Sequence, residues 1–188
     1  MKQEFYDAVA DSPVIAAVKN MEGVEKCLES EVKVVFILFG NICNISEIVD
    51  RIKEKEKLAL VHVDLLEGLD NREIVVDFIK SHTRADGIIS TRLNMINRAK
   101  ELSMDTVYRI FILDSRAYES IEKQKHQIKA DFIEILPGVM PKIIKKINHL
   151  SQQPVIAGGL ISDKGDVMEA LDAGAISVST TNQDVWFM

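Results

Sequence analysis

Residues 154–181 read PVIAGGLISDKGDVMEALDAGAISVSTT. An apolar run opening on Pro154 ends in Gly158 and Gly159, a helical pattern follows over 165–173, and a second β-branched run ends in Ser179, Thr180 and Thr181. Strand, glycine turn, helix and strand make a βαβ unit, because a crossover helix is what returns the chain to lay a parallel neighbour. The same rhythm runs back to the start of the chain, with strand patterns at 13–19, 33–40, 58–66, 86–91, 106–113 and 131–136 preceding 154–160 and 175–181. Helical patterns fall between them at 46–55, 72–81, 93–102, 117–128 and 141–150. In the first of these, Ile48, Val49 and Ile52 share a face opposite Glu47, Arg51 and Lys55.

The runs VVFILF (34–39) and ALVHVDLL (59–66) are too continuously apolar for a sheet with one wet face. Parallel strands flanked by helices are buried on both faces and read this way. The pattern predicts an α/β fold, a TIM-like (β/α) barrel of about eight parallel strands forming one domain over residues 1–188. An open doubly wound sheet is the competing architecture, and the polar residues at the strand ends favour the barrel. After the last strand only NQDVWFM remains, so the eighth helix is expected to be missing or vestigial. Apolar surface near Val185, Trp186 and Phe187 then calls for self-association or for a tail folded back on the body.

The 188 residues, 47% hydrophobic, suffice for one core. A net charge of −6 disfavours indiscriminate nucleic-acid binding, which draws on Lys and Arg. No stretch approaches the roughly 18 apolar residues of a membrane helix, and the start MKQEFYDAVADS lacks a secretion pattern, so a cytoplasmic protein is expected. Cys27 and Cys43 form neither a CxxC pair nor a disulfide framework. The histidines His62, His82, His126 and His149 are scattered without zinc-site spacing, and neither a Walker loop nor a nucleophile elbow occurs, so no metal or cofactor is indicated.

Barrel chemistry gathers where strands end and βα loops begin. Lys19 ends the first strand, Asp64 sits late in the third, Thr91 ends the fourth, Arg109 lies in the fifth and Glu134 interrupts FIEIL in the sixth. Period two assigns them to inward positions, which would bring two cations and two anions to the mouth. Such charges need partners or a ligand. They form either a ligand site or a mutually satisfied ion network. His62, two residues before Asp64, reads as a core histidine or a member of the same site. LPGVMP, with Gly138, joins the sixth strand to its helix and either shapes the pocket or only turns the chain.

Gly158 and Gly159 can expose backbone N–H groups to an anion, and the loops after strands seven and eight are where barrels commonly hold phosphate. With Ser179, Thr180 and Thr181 they make a candidate phosphate site. The plainer reading has the glycines easing packing and the hydroxyls serving a turn. Lys142, Lys145 and Lys146, and Lys123, Lys125 and Lys129, are candidate basic surfaces that also read as solvated helix faces.

In SPVIAAVK, VFIL, HVDLLEGL, DGIIST, RIFILDS, DFIEILPGVMPKII, PVIAGGLI with its DVMEALDAGAISVSTT, and the terminal VW, the chain resembles the glycerol uptake operon antiterminator family. The combination of HVDLLEGL with DFIEILPGVMPKII carries the specificity of the match. The resemblance implies a barrel that binds glycerol 3-phosphate or a similar small phosphorylated ligand, and that acts on leader mRNA so that transcription passes a terminator. The rival is a barrel enzyme of isomerase, epimerase or aldolase type on a sugar or polyol phosphate, with Lys19 as Schiff-base or electrostatic group and Asp64 or Glu134 as acid/base. A third reading is a ligand sensor that acts through a protein partner.

Overall fold

The computed structural model describes residues 3–70 and 72–188. Eight strands, β1 (Val14–Val18), β2 (Val34–Ile37), β3 (Leu58–His62), β4 (Gly87–Ser90), β5 (Asp105–Phe111), β6 (Phe132–Leu136), β7 (Val155–Gly158) and β8 (Ser177–Thr180), pair in sequence order. All the pairings are parallel, and β8 closes onto β1 through Val14↔Val178 and Ile15↔Ser179. The open sheet is thereby excluded. Helices α2 (Met21–Leu28), α3 (Ile45–Lys53), α4 (Ile74–His82), α5 (Leu93–Glu101), α6 (Ser115–Gln124), α7 (Pro141–Leu150) and α8 (Lys164–Asp172) follow the first seven strands.

Strand periodicity divides the core in two. Ile15, Ala17, Val34, Phe36, Leu58, Leu60, Ile89, Val107, Phe132 and Ile156 point inward and pack together. Their alternates, including Ala16, Val35, Val61, Ile133 and Ala157, face the helices. Helix starts follow capping chemistry: Asn20, Asp114 and Asp163 each accept a backbone N–H of the first turn, and Pro141 opens α7 where no donor is needed.

Two elements close the ends. Helix α1 (Gln3–Ala10) precedes β1 and sends Phe5 and Val9 into the inward cluster, where Phe5 meets Phe132 edge-on with ring centroids 4.9 Å apart. This floor was not foreseen from the sequence. After β8 a 3-10 helix, Gln183–Phe187, stands where an eighth helix would be. It folds back, burying Val185 and Trp186, and the Trp186 indole donates to the Thr180 carbonyl at 2.9 Å. Of the two expectations for the tail, the folded-back one holds within the chain.

One expected boundary is corrected. The apolar run ALVHVDLL predicts a third strand to residue 66, but the strand stops at His62 and the chain turns through a 3-10 helix, Val63–Leu65. Asp64 therefore leaves the strand's period of two.

Candidate functional site

Above the apolar layer the inward positions of β5 to β8 turn polar. Arg109 and Glu134 are register partners on β5 and β6, and Gly158 and Ser179 are register partners on β7 and β8. Glu134 is fully buried, which a carboxylate tolerates only with its oxygens paired. Arg109, 7% exposed, donates its Nε–H to Oε2 at 2.5 Å. The Ser179 hydroxyl donates to Oε1 from β8, so the carboxylate reaches across β7. Gly158 makes that crossing feasible: a Cβ there would lie 2.5 Å from Glu134 Oε1 and 2.6 Å from Ser179 Oγ. Its place in the site is to leave room for Glu134.

This triad floors a cavity of about 450 Å³ walled by the loops after β7 and β8, with Leu38 and Ala17 on the far side. Gly159 and Leu160 both take left-handed backbone, at φ 74° and 63°, and Leu160 is 73% exposed although leucine pays a steric penalty there. Strain of this kind persists where surrounding contacts over-determine it. Three hydrogen bonds do so here: Gly138 N–H donates to the Gly159 carbonyl at 3.0 Å, the Thr180 hydroxyl to the Ile161 carbonyl at 2.8 Å, and the Asn182 amide to the Ser162 carbonyl at 2.7 Å. Gly138 has to be glycine for this, since a Cβ would come within 2.9 Å of Gly158 N.

The expected phosphate residues therefore divide by task. Thr180 faces away from the barrel axis and ties the two loops together, and Ser179 holds Glu134. Gly159 and the exposed Thr181 remain on the cavity wall, joined by Ser162 and Asn182, which the sequence reading passed over. Helix α8 offers little to an anion, because Asp163 caps it and Asp166 takes both the N–H and the hydroxyl of Ser162. Those bonds hold the Asp166 carboxyl below its usual range.

The β3–β4 side of the mouth is organised separately. Asp64 accepts from the Ser90 hydroxyl at 2.8 Å, the Thr91 N–H at 2.7 Å and the Thr91 hydroxyl at 2.8 Å. Neither Asp64 nor Thr91 lines the cavity, and Lys19 is exposed and outside it. The single mouth cluster expected from period two is thus two clusters, with Lys19 in neither. Ser90 was missed because its parity faces the helices; only the turn at Val63–Leu65 brings Asp64 over it.

His62, 3% exposed, ends β3 with its Nδ1 lacking any hydrogen-bond partner. Burial first, and then the Arg109 charge, push its pKa down to about 4 against the opposing pull of Asp64. It is neutral at physiological pH. Arg109 is the one cation among the described residues that line the cavity, and neither of its terminal nitrogens is engaged by another described residue. A cavity floored by a half-free guanidinium and walled by a left-handed glycine turn and the Thr181 hydroxyl has the donors to take a small anion that carries hydroxyl groups. No group of three metal-ligating side chains comes together among the described residues.

Residues 14–186 match the family model for the glycerol-3-phosphate responsive antiterminator. YgcP, an uncharacterized protein of Escherichia coli (strain K12), is 46% identical over 175 residues, spanning 93% of this chain and 92% of its own. The crystal structure of a glycerol uptake operon antiterminator regulatory protein from Listeria monocytogenes superimposes with a TM-score of 0.88 at 35% identity, over 92% of this chain and 94% of that one. A glycerol uptake operon antiterminator-related protein from Thermotoga maritima gives a TM-score of 0.83 at 31% identity, over 94% and 99%.

Proposed function

The chain belongs to the glycerol-3-phosphate responsive antiterminator family, and we propose that it binds glycerol 3-phosphate at the barrel mouth and, so loaded, binds leader mRNA to carry transcription past a terminator. Such a regulator acts in the cytoplasm, and no helix of the described residues is long and apolar enough to cross a membrane.

The observation that carries the ligand placement is the cavity between the loops after β7 and β8, standing on the Arg109–Glu134–Ser179 triad. The phosphate lies against Gly159 and Thr181, and the glycerol hydroxyls meet the terminal nitrogens of Arg109, which Glu134 orients. Asp64, a candidate ligand residue from the sequence, has its oxygens taken by Ser90 and Thr91 and does not line the cavity, and Lys19 stands apart, which leaves the β5–β8 side. Ligand binding favours the RNA-competent form only to the extent that this form binds the ligand more tightly.

The enzyme reading fits less well. No lysine lines the cavity among the described residues, so a Schiff base lacks its amine, and both Glu134 oxygens are already bonded. Two titrations test the proposal. In calorimetry with glycerol 3-phosphate, Gly159→Asp is expected to abolish binding by placing a like charge against the phosphate; unchanged affinity would overturn the placement. A glycerol-operon leader transcript, titrated at fixed salt with and without glycerol 3-phosphate, is expected to bind more tightly with it. Ligand binding without any affinity for RNA would replace the regulator of mRNA by a sensor or an enzyme.

A further inference from the structure

Outside the mouth, α7 stands apart in charge. The chain carries 29 acidic residues against 23 Lys and Arg, yet PKIIKKINHL holds Lys142, Lys145, Lys146 and His149 with no carboxylate. Several cations elsewhere are held in pairs, Lys33 with Asp11, Arg51 with Glu25, Arg98 with Asp77 and Lys100 with Asp131. Lys142, Lys145 and Lys146 are exposed and form no ion pair among the described residues. On one side Lys142 and Lys145 border a gap shared with Glu169 and Asp172 of α8, again without pairing.

On the other side the three lysines edge a groove between α6 and α7. It consists of two adjoining cavities, about 460 and 600 Å³, that share Tyr118, Ile143 and Lys146. Asp114 and Glu119 stand at the end nearer the barrel mouth, and Asp114 is occupied in capping α6. The other cavity is lined by Tyr118, Lys142, Ile143, Lys145, Lys146 and His149, and by no carboxylate. Unpaired cations beside a half-buried aromatic ring, in a cleft between two helices, are complementary to a polyanion with planar groups to stack.

The groove also touches the ligand cavity through one loop. Leu136 lines the cavity with its side chain, while its carbonyl accepts the N–H of Ile112, a groove residue, at 2.8 Å. Gly138 donates to Gly159 at the cavity wall, and Met140, two residues on, lines the groove and starts α7.

We infer that the α6–α7 groove is the surface that takes single-stranded leader RNA, with Lys142, Lys145 and Lys146 on the phosphates and Tyr118 stacking a base. This rests on the reading of the protein as an RNA-binding regulator. The test compares the full-length protein with Lys142→Ala/Lys145→Ala/Lys146→Ala, with Tyr118→Leu, and with a charge-matched control, Lys33→Ala/Lys55→Ala/Lys80→Ala, on the α2–α4 side of the barrel. Fluorescence anisotropy of a labelled glycerol-operon leader transcript, with saturating glycerol 3-phosphate, is read at several salt concentrations. The α7 variant is expected to lose affinity by about 10- to 100-fold and to flatten the log K against log[salt] slope by about 2. Tyr118→Leu is expected to lose about tenfold with the slope unchanged. The control keeps wild-type affinity to within a few-fold, and all variants bind glycerol 3-phosphate in calorimetry as wild type does. Wild-type RNA affinity in the α7 variant, or an equal loss in the control, overturns the groove while leaving the regulator reading intact. Absence of RNA binding by the wild-type protein overturns both, and binding of poly-glutamate that the α7 variant alone loses would then assign the groove to an acidic protein.

Discussion

The two halves of the barrel mouth hold similar polar groups and use them in opposite ways. On the β3–β4 side one carboxylate, Asp64, accepts three hydrogen bonds from Ser90 and Thr91 and closes on itself. On the β5–β8 side one carboxylate, Glu134, is bound by Arg109 and Ser179, yet the guanidinium keeps its terminal nitrogens for the cavity above. A cluster whose donors and acceptors cancel is architecture. A cluster left with surplus donors toward open space has the groups to take a ligand.

The largest test of that contrast is to remove each carboxylate. Glu134→Leu strands a buried guanidinium, and a loss of about 3 kcal/mol in urea unfolding is expected, the low end for a broken buried pair because Arg109 opens onto the cavity. Glycerol 3-phosphate affinity should fall with it. Asp64→Ala frees three donors on the partly exposed side and should lose about 1–2 kcal/mol, with ligand affinity within about twofold of wild type. A collapse of ligand binding in Asp64→Ala would erase the boundary between the two halves.

A pH-dependent test sharpens the boundary through His62, which feels the opposing charges of Asp64 and Arg109. Its folded pKa of about 4 lies below the unfolded value near 6.5. The unfolded chain therefore takes up the proton first, and the stabilisation is complete above about pH 6.5, lost as pH falls toward 4 and level below that. The expected slope is at most about 1.4 kcal/mol per pH unit. His62→Phe should flatten unfolding free energy between pH 5 and 6.5 relative to wild type; an unchanged slope would mean that His62 is not held neutral by its burial beside Arg109.

Much of the architecture is legible in the sequence. Seven of the eight strands fall within the apolar runs, β5 begins one residue ahead of its run at Asp105, and Arg109 and Glu134 stand out in the sequence as charges interrupting them. Asp64 was misplaced because Val63, Leu65 and Leu66 keep the run apolar through the turn, and hydrophobicity carries no mark of where pairing stops. The floor helix α1 is short and lies ahead of the βα rhythm, so the repeat does not mark it. Thr180 could have been separated from Ser179 and Thr181 by parity, since alternate strand residues face opposite sides.

What the sequence by itself determined is the order of elements and the parity of each strand, because burial on both faces imprints a local pattern on every segment. Only the tertiary structure decided which polar residues meet. Arg109 lies 25 residues from Glu134, and Glu134 lies 45 from Ser179. Their meeting over the space left by Gly158 depends on the stagger between strands in the closed barrel. That stagger follows from closure of the whole sheet, and no single segment carries it.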